Sequence, residues 1–174
     1  MKVLFVNACM REGSRTEQLA KNVLAEQYGD GTHEVTELKL GTMEVRPLDT
    51  PRLARYNAAV ESRQFDDKMF DFAKQFAQAD EIVIAAPLYN YAMPAQLHAY
   101  LELVCTQGIT FDVSEEGKYY SLCQAKRLTY VSTSGGVMPF GPNDHAFGYV
   151  QTLAREFWNI QHVSHRFRDS LDVV

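Results

Sequence analysis

Short apolar runs alternate along this chain with longer segments whose apolar residues recur at helical spacing. Runs that are apolar at nearly every position predict strands buried on both faces of a sheet, and alternation of apolar and polar residues predicts a strand nearer the sheet edge. The predicted strands are residues 2–7, 33–40, 82–86, 127–133 and 160–167; of these, 2–7 and 82–86 are apolar runs and 33–40 alternates. The predicted helices are residues 14–28, about 60–77, 94–107 and 144–158.

Local signals set the ends of several elements. Ser14 followed by Glu17 predicts a capping box at the start of the first helix. Residues 41–56 contain two prolines and are predicted to be irregular. Two short β-prone pieces within residues 109–122 predict a small hairpin.

Strands and helices alternate five times, which predicts a single α/β domain over residues 1–174 with a parallel sheet and helices on both faces. The expected strand order, 2-1-3-4-5, places a crevice between strands one and three, outside their carboxyl ends, where ligands collect in such sheets. Loops follow strands one, three and four at this edge, so we expect their residues to meet there.

The loop after the first strand has the composition of an anion site. Arg11, Ser14, Arg15 and Thr16 supply two positive charges and two hydroxyl groups at the start of a helix, where backbone N–H groups and the helix dipole favour negative charge. A phosphate monoester would suit this loop. The same residues are also consistent with an ordinary capped helix that carries two solvated arginines.

The other two loops suit the flat part of a ligand. Residues 88–91, Leu-Tyr-Asn-Tyr, offer two aromatic rings for stacking and an amide for in-plane hydrogen bonds. Residues 133–136, Thr-Ser-Gly-Gly, are small enough for a ligand to approach the backbone, and Pro139, Gly141 and Pro142 are predicted to extend this loop. Each loop alone is also explained as a surface turn, but together they indicate one ligand with a phosphate at one end and a planar ring at the other.

Composition narrows the class of protein. The chain has 174 residues, 46% of them hydrophobic and 22% charged, and a net charge of −5, which argues against a non-specific nucleic-acid binder because phosphate backbones attract clustered Lys and Arg. No apolar run approaches the roughly 20 residues of a membrane span, and the first residues lack the features of a signal peptide. Three cysteines without Cys-x-x-Cys spacing predict reduced thiols in a cytoplasmic protein. The five histidines show no metal-ligand spacing, so we expect no metal site.

The three loops resemble those of the flavodoxin-like NAD(P)H-dependent quinone reductase and azoreductase family, which binds FMN. Ser14-Arg15-Thr16 is similar to the family's phosphate loop, residues 87–91 to the segment that packs against the isoalloxazine, and residues 133–136 to the loop at the pyrimidine edge. The resemblance covers nearly the whole chain and implies a flavodoxin-like three-layer sandwich. The expected cofactor-binding residues are Arg11, Ser14, Arg15, Thr16, Pro87, Leu88, Tyr89, Asn90, Tyr91, Thr133, Ser134, Gly135 and Gly136.

The resemblance also implies an activity. NADH or NADPH would reduce FMN at its N5 atom and leave, and a quinone, azo or related aromatic acceptor would then take the electrons, so that no protein side chain is expected to be catalytic. Family members commonly form homodimers with the site at the interface, which implies aromatic residues from a second subunit. Phe111, Tyr119 and Tyr120 of the predicted hairpin are expected to shape the acceptor pocket.

The chain departs from the family pattern in three places. Ala8 and Cys9 stand where family members often carry a serine, and Ser134 stands where they often have a larger residue. No segment for the usual final helix follows the fifth predicted strand, which bears on dimerisation and on how one face of the sheet is covered.

Two alternative functions stay open at this point. Cys9, five intervening residues and Arg15-Thr16 match the phosphate loop of low-molecular-weight tyrosine phosphatases, in which a low-pKa thiolate attacks phosphorus, although the chain has no Asp-Pro pair to supply the general acid. A flavodoxin-type electron carrier would use the same fold and cofactor without a nicotinamide substrate, but such carriers are usually more acidic around the flavin. A dinucleotide-binding domain is not indicated, because no G-x-G-x-x-G follows the first strand.

Overall fold

Five parallel strands form the centre of the fold in the computed structural model, which describes residues 1–138 and 145–172. The strands of this sheet are β1 (Lys2–Asn7), β2 (Glu34–Lys39), β3 (Glu81–Ala85), β6 (Arg127–Thr133) and β7 (His162–Arg168), and two further strands are β4 (Phe111–Val113) and β5 (Tyr119–Ser121). The helices are α1 (Arg15–Tyr28), α2 (Thr50–Ser62), α3 (Asp71–Ala77), α4 (Ala95–Val104) and α5 (His145–Glu156), with single 3-10 turns at Leu40–Thr42 and Lys68–Phe70.

The sheet has the order β2-β1-β3-β6-β7, and β4 and β5 form a separate antiparallel hairpin. This confirms the expected order 2-1-3-4-5 once the hairpin strands are set aside. β1 pairs with both β2 and β3, so the crossover from β2 to β3 passes over β1. The carboxyl ends of β1, β3 and β6 therefore lie side by side, and the loops that follow them emerge at one edge.

Helices cover both faces of the sheet, which gives the three layers of the predicted sandwich. On one face, α1 packs through Ala20 and Val23 against β1, β3 and β6. On the other, α3, α4 and α5 bury residues that include Phe76, Leu101 and Val150 in a larger apolar cluster. β1 and β3 are covered on both faces, which explains why the sequence is continuously apolar there.

The outer strand β7 differs from the central strands because α1 does not extend over it. Arg166 pairs in register with Val131, which lies on the α1 face. The residues of β7 on that face are His162, Ser164, Arg166 and Arg168, all of them polar and exposed. Their polarity matches a sheet face that no helix of the described residues covers.

The sequence prediction was wrong between strands two and three. Residues 41–56 were predicted to be irregular, but α2 begins at Thr50, where the Asp49 carboxylate accepts a hydrogen bond of 3.0 Å from the Arg52 N–H. Pro51 lies in the first helical turn, where proline is tolerated because its missing N–H has no partner there anyway. The helix predicted over 60–77 is interrupted, since α2 ends at Ser62 and Arg63 adopts a left-handed backbone with φ 56°.

The remaining elements agree with the prediction within a few residues, and the hairpin lies where it was expected. The predicted loop extension at Pro139, Gly141 and Pro142, and the predicted helix start at residue 144, lie outside the described residues. Within residues 1–138 and 145–172, none of the helices is both long and apolar enough to cross a membrane.

Candidate functional site

The three loops that follow β1, β3 and β6 surround one cavity of about 230 Å³. It is lined by Arg11, Ser14, Arg15, Thr16, Pro87, Leu88, Tyr89, Thr133, Ser134, Gly135, Leu171 and Asp172. All the residues expected to bind a cofactor are therefore brought together here except Asn90, Tyr91 and Gly136. The lining combines hydroxyl and guanidinium groups with the Leu88 and Tyr89 side chains.

The start of α1 supplies the polar side of the cavity. The Ser14 hydroxyl caps the helix by accepting a hydrogen bond of 3.3 Å from the Glu17 N–H. The reciprocal half of the predicted capping box does not form, because the Glu17 carboxylate pairs with Lys21 at 2.6 Å and with Lys39 at 3.7 Å. These two lysines hold the pKa of Glu17 below its usual range, Lys21 most strongly. Glu17 is thus neutralised and adds little repulsion toward an anion at the helix start.

A buried hydrogen bond joins the first loop to the third. The Thr16 and Thr133 hydroxyl oxygens lie 2.6 Å apart, and both residues are buried. The bond joins the first turn of α1 to the end of β6, although β3 lies between β1 and β6 in the sheet. It fixes the separation of the two loops that would have to hold opposite parts of one ligand.

The second loop leaves β3 and ends in a tight turn. Leu88 continues the sheet pairing by donating its N–H to the Thr133 carbonyl at 3.0 Å. Tyr89 and Ala92 then exchange two backbone hydrogen bonds of 2.9 Å each. Between them, Asn90 and Tyr91 have φ values of 52° and 63°, as in the two-residue turns of β-hairpins. Asparagine suits this conformation, whereas tyrosine there is strained.

This turn separates the two tyrosines predicted to flank a flat ligand. Tyr89 lines the cavity with 44% of its surface exposed. Asn90 and Tyr91 stand at the tip of the turn, and Tyr91 is 56% exposed. The amide of Asn90 is therefore at the rim of the cavity and does not line it.

The third loop is contacted by the chain's own residues 170–172. The Gly135 carbonyl accepts a hydrogen bond of 2.9 Å from the Asp172 N–H, and a Cβ added at Gly135 would overlap the Asp172 carboxylate. Gly136 lies beside the cavity, where its carbonyl accepts a hydrogen bond of 2.7 Å from the Ser134 hydroxyl. The absence of a side chain at Gly135 thus allows a close approach, and the approaching group in this structure is Asp172.

Leu171 and Asp172 are lining residues that were not predicted from the sequence. Topology could have indicated them, because β7 is parallel to β6 and lies next to it. Residues that follow Arg168 must then emerge at the same edge as the loop after β6. The side-chain pattern of residues 170–172 carries no comparable signal.

Cys9 does not have the environment of a phosphatase nucleophile. Its side chain is 1% exposed, and its sulfur faces the Ala85 carbonyl at 3.9 Å. Burial raises the pKa of this thiol to about 11. A nucleophilic cysteine needs a lowered pKa and access to substrate, so the Cys-x5-Arg interpretation is not favoured.

Phe111, Tyr119 and Tyr120, expected to shape the acceptor pocket, do not line this cavity. The chain leaving the hairpin is fixed at the amino-terminal edge of the sheet, where the Gln124 N–H donates to the carbonyl of Ala77 at 3.0 Å. The cavity lies at the carboxyl edge, and strands of five to seven residues separate the two edges by about 17–23 Å. Within one chain, the hairpin and the cavity are therefore separate features.

Two aromatic rings of the hairpin pack against Phe157, the residue that follows α5. Phe111 and Tyr119 contact the ring of Phe157, with centroids 4.6 and 4.9 Å apart. Tyr119 and Tyr120 are about half exposed, at 55% and 49%. The hairpin thus presents aromatic surface to the outside of the chain.

Comparison with known proteins supports the family suggested by the loops. Residues 1–172 match the family described as having the flavodoxin-like fold. An FMN-dependent NADH:quinone oxidoreductase of Coprothermobacter proteolyticus is 30% identical over 99% of this chain and 88% of its own length. A second protein of that name, from Clostridium acetobutylicum, is 34% identical over 81% of this chain and 71% of its own length. The structure of an azoreductase from Bacillus anthracis covers 99% of this chain and 88% of its own, with 25% identity and a TM-score of 0.82. The chain therefore belongs to the flavodoxin-like family that includes these FMN-dependent NADH:quinone oxidoreductases.

Proposed function

We propose that this protein is an FMN-dependent oxidoreductase that passes electrons from NADH or NADPH to a quinone, azo or related aromatic acceptor by a ping-pong mechanism. The observation that carries the proposal is the single cavity in which an anion-binding helix start, an aromatic loop and a glycine loop meet. The names of the relatives support FMN, NADH and a quinone, and the name of the similar azoreductase structure supports an azo acceptor. When bound, FMN supplies the two-electron chemistry that amino-acid side chains lack.

The residues of the cavity fit the two ends of FMN. Ser14, Arg15, Thr16 and the exposed Arg11 would hold the phosphate, because hydroxyl, guanidinium and helix N-terminal N–H groups all favour an anion. Gly135 has no side chain, and the space beside it, which holds the Asp172 carboxylate in this structure, would admit the edge of a flat ring once that carboxylate moves away. None of these residues needs to exchange a proton with substrate.

The apolar side of the cavity would orient the ring system. Pro87, Leu88 and Tyr89 line it, and they would exclude water from one side of the isoalloxazine. Asn90, Tyr91 and Gly136 border the cavity, where we propose that they contact the cofactor or the acceptor from the rim. Ser134 would add a hydroxyl beside the pyrimidine edge.

We further propose that the active form is a homodimer in which the hairpin of one subunit completes the site of the other. The hairpin carries the half-exposed Tyr119 and Tyr120 and cannot reach the cavity of its own chain. A second copy could bring Phe111 and these tyrosines to the open side of the cavity. The free cysteines Cys9, Cys105 and Cys123 fit a reducing compartment such as the cytoplasm.

Turnover by the FMN-loaded protein tests this function. We expect NADH or NADPH consumption to depend on both FMN and a quinone, with the parallel double-reciprocal plots of a ping-pong mechanism. An electron carrier would bind FMN but oxidise nicotinamide only when a partner reductase is added. Consumption that persists at the same rate in protein stripped of FMN would contradict the proposal.

A pair of arginine variants connects activity to the cavity. We expect Arg15→Gln to weaken FMN binding at least about tenfold, because a charge-assisted hydrogen bond contributes about 1.5–3 kcal/mol. Arg46→Gln is the matched control, since Arg46 pairs with Glu44 away from the cavity. Equal FMN affinities of the two variants would argue against phosphate binding at the start of α1.

A further inference from the structure

A short segment after β7 folds back across the candidate site. We call residues 170–172 the strap. Its backbone donates three hydrogen bonds to the third loop, from the Ser170 N–H to the Gly136 carbonyl at 3.1 Å, from Leu171 to Ser134 at 3.3 Å and from Asp172 to Gly135 at 2.9 Å. The strap therefore covers the loop whose backbone a ligand was predicted to approach.

The strap also engages the guanidinium group at the start of α1. Arg15 donates one hydrogen bond to the Leu171 carbonyl and another to the Asp172 carboxylate. The same carboxylate lies against Gly135, in the space that a side chain there would need. The Asp172 carboxylate thus pairs with the cation of the cavity, Arg15, and also fills the space beside Gly135.

These contacts are of a kind that a ligand can displace. The side chains of Arg15 and Asp172 are 44% and 66% exposed, and exposed ion pairs contribute little because water and salt screen them. A phosphate group carries more charge than a carboxylate and offers a guanidinium bidentate acceptors. A phosphate would therefore replace the carboxylate on Arg15 at small cost.

We infer that the strap is a built-in competitor for the anion-binding corner of the cavity, with the Asp172 carboxylate holding Arg15 until the phosphate of a ligand takes its place. This inference rests on the proposed function, since FMN is the ligand that the strap would compete with. The apparent affinity for FMN equals the affinity of the open form multiplied by the fraction of chains in which the strap is open. A closed strap therefore weakens binding. It also keeps Arg15 directed at the cavity, so that the ligand meets a guanidinium already in position.

FMN titration of three proteins tests the competition. Asp172→Asn removes the carboxylate charge and keeps the shape of the side chain, whereas Glu12→Gln removes a charge from an exposed residue of the first loop that does not line the cavity. We expect Asp172→Asn to bind FMN two- to fivefold more tightly than the unaltered protein, which corresponds to about 0.4–1 kcal/mol. We expect Glu12→Gln to match the unaltered protein.

Amide hydrogen exchange measures the strap without relying on activity. In the FMN-free protein, the Leu171 and Asp172 amides should exchange more slowly than in Asp172→Asn, and saturation with FMN should speed their exchange in the unaltered protein. Unchanged or weaker FMN binding by Asp172→Asn would contradict the role of the strap as a competitor, and so would slower exchange of these amides once FMN is bound. Neither result would contradict the FMN site itself. Equally tighter FMN binding by Asp172→Asn and Glu12→Gln would show that removing any nearby negative charge has this effect, and it would also contradict the competition by the strap.

Failure of the proposed function gives a different result. If none of the three proteins binds FMN, the cofactor assignment fails and competition with FMN fails with it. Slow exchange of the strap amides in the ligand-free protein would still report the closed strap in that case. Fast exchange in the ligand-free protein would contradict the closed strap whatever FMN does.

Discussion

A bidentate salt bridge between Arg63 and Asp112, which we call the clamp, joins the hairpin to the end of α2. It predicts how the free energy of unfolding depends on pH. The Asp112 carboxylate accepts hydrogen bonds from both terminal nitrogens of Arg63, at 2.8 and 3.0 Å, and from the Gln107 amide at 3.0 Å. Bidentate guanidinium–carboxylate pairs are the strongest of the side-chain ion pairs. The clamp orients β4, which carries Phe111, one of the aromatic residues proposed to complete the site of a second copy.

The size of the effect follows from the ionisation of Asp112. The hydrogen bonds from Arg63, and then from Gln107, lower the pKa of this carboxyl from its ordinary value of 3.8 to about 2. A pKa that is lower in the folded than in the unfolded state stabilises the fold above the unfolded value, and this stabilisation is lost as the pH falls from about 4 toward 2. The shift sets an upper limit of about 2 kcal/mol, and the half-exposed Arg63 reduces our expectation to about 1 kcal/mol.

Urea denaturation of Asp112→Asn at two pH values measures the clamp. We expect this variant to lose about 1 kcal/mol of unfolding free energy at pH 7, and the difference from the unaltered protein to shrink by about half near pH 3. Asp66→Asn is the control, because Asp66 is exposed and should show no such loss. Equal stability of Asp112→Asn and the unaltered protein at pH 7, or a difference that stays constant down to pH 3, would refute the clamp.

Three further predictions concern residues around the cavity. Because burial raises the pKa of Cys9 to about 11, we expect the native thiol to resist a maleimide at pH 8 and Cys9→Ser to retain quinone reduction; rapid labelling of the folded protein at Cys9 would contradict this. We expect Thr16→Val to lower the unfolding free energy by about 1–2 kcal/mol because it leaves the buried Thr133 hydroxyl without this partner, whereas Thr16→Ser should be nearly neutral in thermal denaturation. We expect Tyr91→Gly to raise stability by about 1 kcal/mol in urea, because glycine relieves the left-handed backbone at φ 63°, and a destabilised variant would show that the exposed ring contributes packing.

The central strands could be predicted from the sequence because both of their faces are buried. The predicted bounds of β1 and β6 match the structure. For β1 the signal was a continuous apolar run, which is typical of a strand covered on both faces. The prediction failed at α2, whose Pro51 was interpreted as a sign of irregular structure although proline is favoured in a first helical turn. The helix break at Arg63 was also missed, because a left-handed residue other than glycine carries no clear sequence signal.

The candidate site was predictable to the extent that it depends on strand order. The order of the strands brings the loops after β1, β3 and β6 to one edge, and most residues chosen from those loops line one cavity. The two-residue turn that moves Asn90 and Tyr91 to the rim depends on local backbone conformation at a tyrosine that disfavours it. The position of the hairpin depends on its anchoring at the other edge of the sheet, and the strap depends on how residues after β7 turn, so neither could be placed from residue patterns alone.

Uptake of FMN by the ligand-free protein tests most directly whether the three loops form one cofactor site. We predict that the protein binds one FMN per chain, that its visible flavin absorption is bleached by NADH or NADPH without oxygen, and that the absorption returns when a quinone is added. We also predict that riboflavin, which lacks the phosphate, binds much more weakly, because the start of α1 would then have no anion to hold. A colourless protein that takes up no added FMN, or one that binds riboflavin as tightly as FMN, would contradict the proposed site.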